Sequence, residues 1–304
     1  MAAPWPCRHM AAEKEDMSRM LYGRFFRQAL TERVFCSRTY SVVFLQGVIL
    51  YLYMRPVVRA SKDMECGASP WVFPFLSSNL FFLLLFMVGI VYSFSDVPFM
   101  QNKNMYQVIR TGRMRWAAGQ ISVIFAQAFL LMAVNALFPM LLLAGSCEYT
   151  LEWGKLYHTL ALTGGSEAYR LLFAFSYEAM QRFSPLELLG LTVLIGTLVI
   201  AFVGLLMFAV SLYINRSVAV MLAFLMVVMI YLVENIHPLL RRGTAMFVPV
   251  NWMRVTQIGI KMHDSFMQPS VVYMLAALAV GITVCAGLIC IKIKTMEFQW
   301  YKEE

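Results

Sequence analysis

Apolar residues form a few long stretches in this chain, and polar residues separate them. An apolar helix of about 20 residues crosses a hydrocarbon core of roughly 30 Å. Thr39 to Met54 forms a short stretch of this kind between Arg38 and Arg55, whose side chains can reach the lipid headgroups. Five longer stretches contain no Asp, Glu, Lys or Arg, and they cover residues 66–95, 116–147, 188–215, 217–233 and 265–291.

This pattern predicts an all-α, polytopic membrane protein with six transmembrane helices and an N-terminal interfacial amphipathic helix. We expect one membrane domain at residues 39–294, because no segment outside the spans is large enough to bury a core of its own. Residues 1–16 are predicted to be disordered, and residues 295–304 to form a tail. The predicted spans are about 39–56, 71–95, 116–145, 188–214, 217–235 and 270–291.

The interfacial helix is predicted at residues 17–38, directly before the first span. At 100° per residue, Phe25, Phe26 and Ala29 fall on one apolar arc. Arg24 and Arg27 fall opposite that arc, as in a helix that lies in the membrane surface. The alternative is a basic tail that only sets the orientation of the chain.

The composition supports a membrane protein and limits its partners. Hydrophobic residues make up 60% of the chain and charged residues 14%, whereas about a quarter of a soluble protein is charged. The formal net charge is +8, but Lys and Arg lie between apolar runs and form no separate basic domain. We therefore expect membrane lipids and no nucleic acid as the anionic partner. The distribution of Lys and Arg places both termini on the cytoplasmic side.

The predicted inner loop, 96–116, contains an amphipathic segment. Met105, Val108 and Ile109 repeat at helical spacing, and Gly112 can end this helix in the left-handed helical conformation, which has a positive φ. Arg110 and Arg113 add positive charge, and we expect Trp116, where the third span begins, to lie at the membrane interface. A connecting loop needs no apolar stripe, so this surface is suited to docking another protein.

The run IRTGRMRWAAGQ, residues 109–120, resembles the type-2 ATP-binding-cassette (ABC) transporter permeases of bacterial exporters. The order of the predicted elements is also similar to that family: an interfacial helix, six spans and a helical inner loop between the second and third spans. The resemblance implies that the inner loop contacts an ATPase subunit. The residues in this predicted coupling site are Met105, Val108, Ile109, Arg110 and Arg113. The alternative is a helix that only seals the inner membrane surface.

The same resemblance implies a re-entrant segment at residues 247–260, before the last span. The run FVPVNWMRVTQIGI is apolar but contains Pro249 and lies between Pro238 and Pro269. Backbone that is not helical is tolerated at membrane depth only where protein or water covers it. A plain outer loop resting on the headgroups is the alternative.

The chain lacks the motifs of an energy-converting or metal-dependent site. It has no G-x-x-x-x-G-K-[ST] phosphate loop, no C-x-x-C pair and no H-E-x-x-H. We therefore expect no cofactor on this chain, with ATP and Mg²⁺ bound by the partner. The predicted function is the permease subunit of an ATP-driven exporter in the bacterial plasma membrane. Its predicted partners are two copies of the ATPase and a second permease, identical or related.

Two other classes of function remain as alternatives. An ion-coupled secondary transporter needs ionisable groups in its spans, where this chain has Glu234 at the end of the fifth. The other polar span residues are expected to bond between helices; they are Gln46, Asn79, Gln127 and Asn135. An intramembrane enzyme could use Glu178 and Arg182 with a histidine, His158 or His237, but an ordinary ion pair between Glu178 and Arg182 is expected.

Cys66 and Cys147 either form a disulfide or remain free thiols.

Overall fold

The computed structural model describes residues 23–95, 108, 111–146, 148, 150–163, 165–262, 265–266 and 268–295. Nearly all of the regular structure in these residues is helical. The helices are α1 (23–34), α2 (Ser37–Asp63), α3 (Phe73–Ser78), α4 (Leu80–Phe94), α5 (Arg113–Leu143), α6 (Gly154–Leu162), α7 (Gly165–Ala168), α8 (Tyr177–Arg182), α9 (Pro185–Tyr213), α10 (Arg216–Asn235), α11 (Pro238–Phe247) and α12 (Val271–Thr295). Short 3₁₀ helices cover Ala144–Ser146, Pro249–Met253 and Val255–Gln257, and two-residue strands β1 (Lys261–Met262) and β2 (Ser265–Phe266) pair antiparallel.

Five of these helices are long and apolar enough to cross a membrane: α2, α5, α9, α10 and α12. The chain is therefore an all-α, multi-pass membrane protein, as its sequence predicts. The bounds of these helices lie close to the predicted spans, although α2 continues beyond residue 56 to Asp63.

Helix α9 lies at the centre of the bundle. It packs against α5, α10 and α12 and also contacts α3 and α4. Glycines bring its neighbours close, because a Cβ on Gly204 would lie 2.9 Å from Ile124 of α5 and 3.2 Å from Phe94 of α4. Since lipid does not drive apolar helices together, close backbone approach of this kind contributes much of the packing in a membrane.

The second predicted span, 71–95, is divided into two helices by Asn79. The backbone of Asn79 is extended, with a ψ of 130°, so α3 ends and α4 begins on either side of it. The Asn79 side chain accepts a hydrogen bond from the N–H of Phe82 at 3.0 Å and donates one to the Leu172 carbonyl at 2.9 Å. It thus caps α4 and holds the break against the loop before α8. The 15 residues of α4 reach about 22 Å, less than a full hydrocarbon core.

The polar residues of the spans bond between helices, as predicted. Asn135 of α5 donates to the side chain of Gln46 in α2 at 2.8 Å, and Gln46 donates to the Phe86 carbonyl of α4 at 3.3 Å. One level further along, Gln127 of α5 donates to Ser93 of α4 at 3.1 Å. Two buried polar contacts therefore join α5 to α2 and α4.

The amphipathic pattern of α1 is confirmed, although its apolar face is covered differently from the prediction. Phe25 and Ala29 are buried, whereas Arg24 and Arg27 are exposed. Part of the apolar arc packs on α5 instead of facing lipid alone, because Phe25 lies against Gly119. The helix ends at residue 34, and α2 begins at Ser37 after a short turn. Residues 17–22 of the predicted helix lie outside the described residues.

The two ends of the bundle differ in character. One, which we call the basic end, contains α1 and residues 111–116, 214–216 and 292–295. The other, which we call the cap end, contains residues 61–79, 144–146, 148, 150–163, 165–184, 236–262, 265–266 and 268–270. At the cap end, Phe75 packs edge-on against Trp153 and Phe175, with ring centroids 5.2 and 5.1 Å apart, and Tyr157 stacks on Phe175 at 4.5 Å.

The segment predicted to be re-entrant, 247–260, contributes to the cap end. Its 3₁₀ turns bury Val250, Trp252 and Val255 against helices of the bundle, while Phe247 stays exposed. Protein therefore covers much of this irregular backbone. Cys66 is a free thiol, and Cys147 lies outside the described residues.

Candidate coupling site at the basic end

The predicted coupling residues are only partly described. Met105, Ile109 and Arg110 lie outside the described residues. Val108 is helical and only 6% exposed, which means that its side chain packs within this chain. Arg113 is exposed at the start of α5. Of the two described residues, Arg113 is thus accessible to a partner and Val108 is buried.

Gly112 joins the loop to α5. Its N–H donates to the Val108 carbonyl at 2.8 Å, and its φ is 83°, positive as predicted. Its ψ of 145° differs from the left-handed helical value that the sequence predicted. This backbone region is open almost only to glycine. The helical residues before Gly112 therefore end abruptly, and α5 starts in a fixed direction.

Trp116 connects α5 to the central helix. The sequence predicts that this residue lies at the membrane interface, but the structure buries it to 2% exposure. Its ring packs edge-on against Phe208 of α9, with ring centroids 6.2 Å apart. The burial of Trp116 places the first turn of α5, and hence the end of the predicted coupling loop, in direct contact with α9.

A second contact joins α5 to α1. Gly119 leaves room for the ring of Phe25, because a Cβ at this position would lie 2.4 Å from Phe25 Cε1. One residue further along, Gln120 accepts a hydrogen bond from Arg33 at 3.1 Å. Gly119 and Gln120 of the AAGQ run thus contact α1, a role that the sequence alone does not reveal.

Basic side chains link the remaining helices at this end. Arg113 donates to the carbonyl of Lys294 in α12 at 3.4 Å, and Arg38 donates to Ser95, after α4, at 2.9 Å. Cations near the last carbonyls of a helix also interact favourably with its dipole. The basic end therefore combines a surface of positive charge with direct contacts among α1, α5, α9 and α12.

The cap end holds an ion cluster that sequence spacing did not reveal. Glu234 at the end of α10 pairs with Arg241 of α11 at 2.5 Å and with Arg254 of the 3₁₀ segment. Arg254 also donates from Nε to the Ser78 carbonyl at 2.9 Å, at the end of α3. Burial lowers the pKa of Arg254 from its ordinary value and Glu234 opposes that change, so Arg254 stays charged at neutral pH. Arg241 is near Glu234 in the sequence, but Ser78 is distant from both, and the fold brings it to Arg254.

The residues considered for an enzyme do not form a metal centre. Glu178 and Arg182 lie on the short helix α8, and Arg182 extends toward Gly259. The ring of His158 packs edge-on against Tyr177 at 5.9 Å. Within the described part of the chain, no group of three or more His, Cys, Asp or Glu side chains could hold a metal ion.

The chain was compared with protein-family models, with curated proteins and with solved structures. None of the three comparisons gives a match. The resemblance to the permease family therefore stays a prediction from the residues quoted above.

Proposed function

We propose that this chain is the membrane-spanning subunit of an ATP-driven exporter. In this proposal it forms half of a translocation pathway, a second permease forms the other half, and two ATPase subunits supply the driving force. The observation that supports the proposal is how α5 begins: Gly112 donates a hydrogen bond to the Val108 carbonyl, and the first turns of α5 contact both α1 and α9. A loop that only sealed the membrane surface would need no such connection.

Helix α5 is suited to transmit a displacement across the membrane. It spans 31 residues, which corresponds to about 46 Å, and its internal proline, Pro139, lies near the end far from Arg113. A tilt of about 10° around its basic end moves the other end by roughly 8 Å at this length. The contacts of Trp116 with Phe208 and of Gly119 with Phe25 lie close to that pivot, so they move by only about 1 to 2 Å and link the rotation of α5 to α9 and α1. Reversing a 99:1 population of two states requires about 5.5 kcal/mol of differential binding, which the ATPase partner would supply.

The proposal places the basic end in the cytoplasm of a bacterial cell, with both termini on that side. Exposed Arg24, Arg27, Arg113 and Arg115 gather there, as the positive-inside rule requires of a cytoplasmic face. An ATPase subunit in the cytoplasm would then approach the end of the bundle that carries the predicted coupling residues.

An ion-coupled transporter is the main alternative. Glu234, the ionisable span residue that such a mechanism would use, is held by two arginines at the cap end. A carboxylate paired in this way is a poor carrier of protons, because its guanidinium partners favour the charged form. Transport that continues on a proton or sodium gradient after ATP depletion would support the alternative.

The test uses one substitution in the loop and a matched control at the same end of the bundle. The chain is purified together with an ATPase subunit from the neighbouring reading frame, and ATP hydrolysis is measured in liposomes with and without the permease. We expect Ile109→Asp to abolish the stimulation of hydrolysis. Ile214→Asp makes the same chemical change at an exposed apolar residue in the turn after α9, and it should retain stimulation. Equal behaviour of the two variants, or no associated ATPase, would contradict the proposal.

A further inference from the structure

A cavity opens at the cap end, beside the break between α3 and α4. Its volume is about 380 Å³, and residues from three separate segments line it. Ser78, Asn79 and Phe81 come from the break, Phe173 from the loop before α8, and Arg254 from the 3₁₀ segment. The wall thus combines aromatic rings with hydroxyl, amide and guanidinium groups.

The charge in this wall has one sign. Among the described residues that line the cavity, Arg254 is the charged one, and it is 5% exposed. Its carboxylate partner, Glu234, does not belong to the wall and is shared with Arg241, so the cluster of two arginines and one glutamate keeps a net charge of +1. The N terminus of α4 also opens onto the cavity at Leu80 and Phe81, and the partial charge of a helix N terminus is positive. The cavity therefore favours a negatively charged group.

The position of the cavity places it close to the acyl chains of a surrounding bilayer. Helix α4 reaches about 22 Å from the basic end, so a hydrocarbon core of roughly 30 Å would extend about 8 Å beyond Asn79. Phe81, on the first turn of α4, is 65% exposed on the surface of the bundle. A molecule with its head in the cavity would place an apolar tail along Phe81 and α4.

We infer that this cavity binds the anionic headgroup of an amphiphile, with its phosphate or carboxylate at Arg254 and its tail along α4. Arg254 already donates from Nε to the Ser78 carbonyl and from one terminal nitrogen to Glu234, so the oxyanion would accept from the remaining N–H groups of the guanidinium. Ser78 and Ser176 add hydroxyl groups within the same wall. The inference concerns the isolated chain and does not depend on an ATPase partner, so it can fail while the proposed function stands.

Two variants test the site in different ways. Arg254→Gln removes the guanidinium, but it also leaves Glu234 and the Ser78 carbonyl without that partner, so the variant can lose stability for reasons unrelated to a ligand. Ala174→Trp leaves the ion cluster intact and fills the cavity, because Ala174 is exposed and lines it. Arg59→Gln is the matched control, because it removes an exposed positive charge from α2, outside the cavity.

The experiment is native mass spectrometry of the full chain in detergent with equal amounts of phosphatidylglycerol and phosphatidylcholine. We expect the wild type and Arg59→Gln to retain one phosphatidylglycerol per chain, and Ala174→Trp and Arg254→Gln to retain about tenfold less. A parallel titration with inorganic phosphate distinguishes a soluble anion from a lipid as the ligand. If phosphate displaces phosphatidylglycerol only at millimolar concentration, the acyl tail contributes to binding. Equal retention of both lipids, or retention of phosphatidylglycerol by Ala174→Trp, would overturn the inference.

Discussion

The contact between Phe25 and Gly119 gives a direct test of how α1 is attached to the bundle. A methyl group on Gly119 would lie 2.4 Å from Cε1 and 2.8 Å from Cδ1 of the Phe25 ring, so Gly119→Ala forces the ring out of its site. Overpacking of this kind costs about 1 to 3 kcal/mol of unfolding free energy. Replacing glycine by alanine inside a helix returns about 1 kcal/mol, because alanine has the higher helix propensity. The net loss for Gly119→Ala is then roughly 0 to 2 kcal/mol.

Gly190→Ala is the matched control. Gly190 lies in α9, and no heavy atom lies within 4 Å of its added Cβ. This substitution therefore carries the gain in helix propensity without the clash. The difference between the two variants isolates the clash, and we expect it to be about 1 to 3 kcal/mol. For a chain of this size each kcal/mol changes the midpoint of thermal unfolding by roughly 2 to 4 °C.

A double-mutant cycle completes the test. Phe25→Ala removes the ring, so Gly119→Ala should no longer destabilise the protein in that background and should even stabilise it slightly. Unfolding is followed by tryptophan fluorescence in nanodiscs at one fixed heating rate. The reasoning is refuted if Gly119→Ala and Gly190→Ala unfold at the same temperature, or if Gly119→Ala destabilises the Phe25→Ala variant as much as it destabilises the wild type.

Two further predictions concern single contacts. Asn135→Leu should lower the free energy of unfolding by about 0.5 to 2 kcal/mol, because it leaves the side-chain carbonyl oxygen of Gln46 without its donor. The double variant with Gln46→Leu should lose less free energy of unfolding than the sum of the two single variants. Thermal unfolding measures all three variants. Gly112→Ala should cost about 1 to 3 kcal/mol through backbone strain alone, since no heavy atom lies within 4 Å of the added Cβ while φ is 83°. In the exporter complex, Gly112→Ala should also reduce the stimulated ATP hydrolysis, and unchanged stability and hydrolysis would show that the conformation of Gly112 is not required.

The sequence predicts the membrane helices well because their signal is local. Length and hydropathy depend on consecutive residues, so the long apolar runs identify α5, α9, α10 and α12 within a few positions. The bonding of the polar residues in the spans is predictable for a different physical reason. An amide in hydrocarbon needs a partner, and Gln46, Gln127 and Asn135 each find one on a neighbouring helix.

The features that the sequence does not predict depend on distant residues. The division at Asn79 follows two serines in an uncharged run, and these three polar residues do not by themselves show that the helix breaks. The break is stabilised by the Leu172 carbonyl and the side chain of Arg254, far away in the chain. The burial of Trp116 is similar, since a tryptophan at the start of a span is typical of an interface and only the proximity of Phe208 places it inside. Gly119 carries no signal at all until α1 is placed beside it.

The central position of α9 has a consequence for how this chain can diverge during evolution. Helices α9 and α12 are similarly hydrophobic. However, 61% of the most apolar 18-residue stretch of α9 is buried in the bundle, whereas only 22% of the corresponding stretch of α12 is buried. On most of α12 any apolar residue is compatible with the surrounding lipid, so many substitutions should be tolerated there. On α9 each change alters the fit with several neighbours, so distant homologues should preserve side-chain volume along α9 even where the residues themselves have been exchanged.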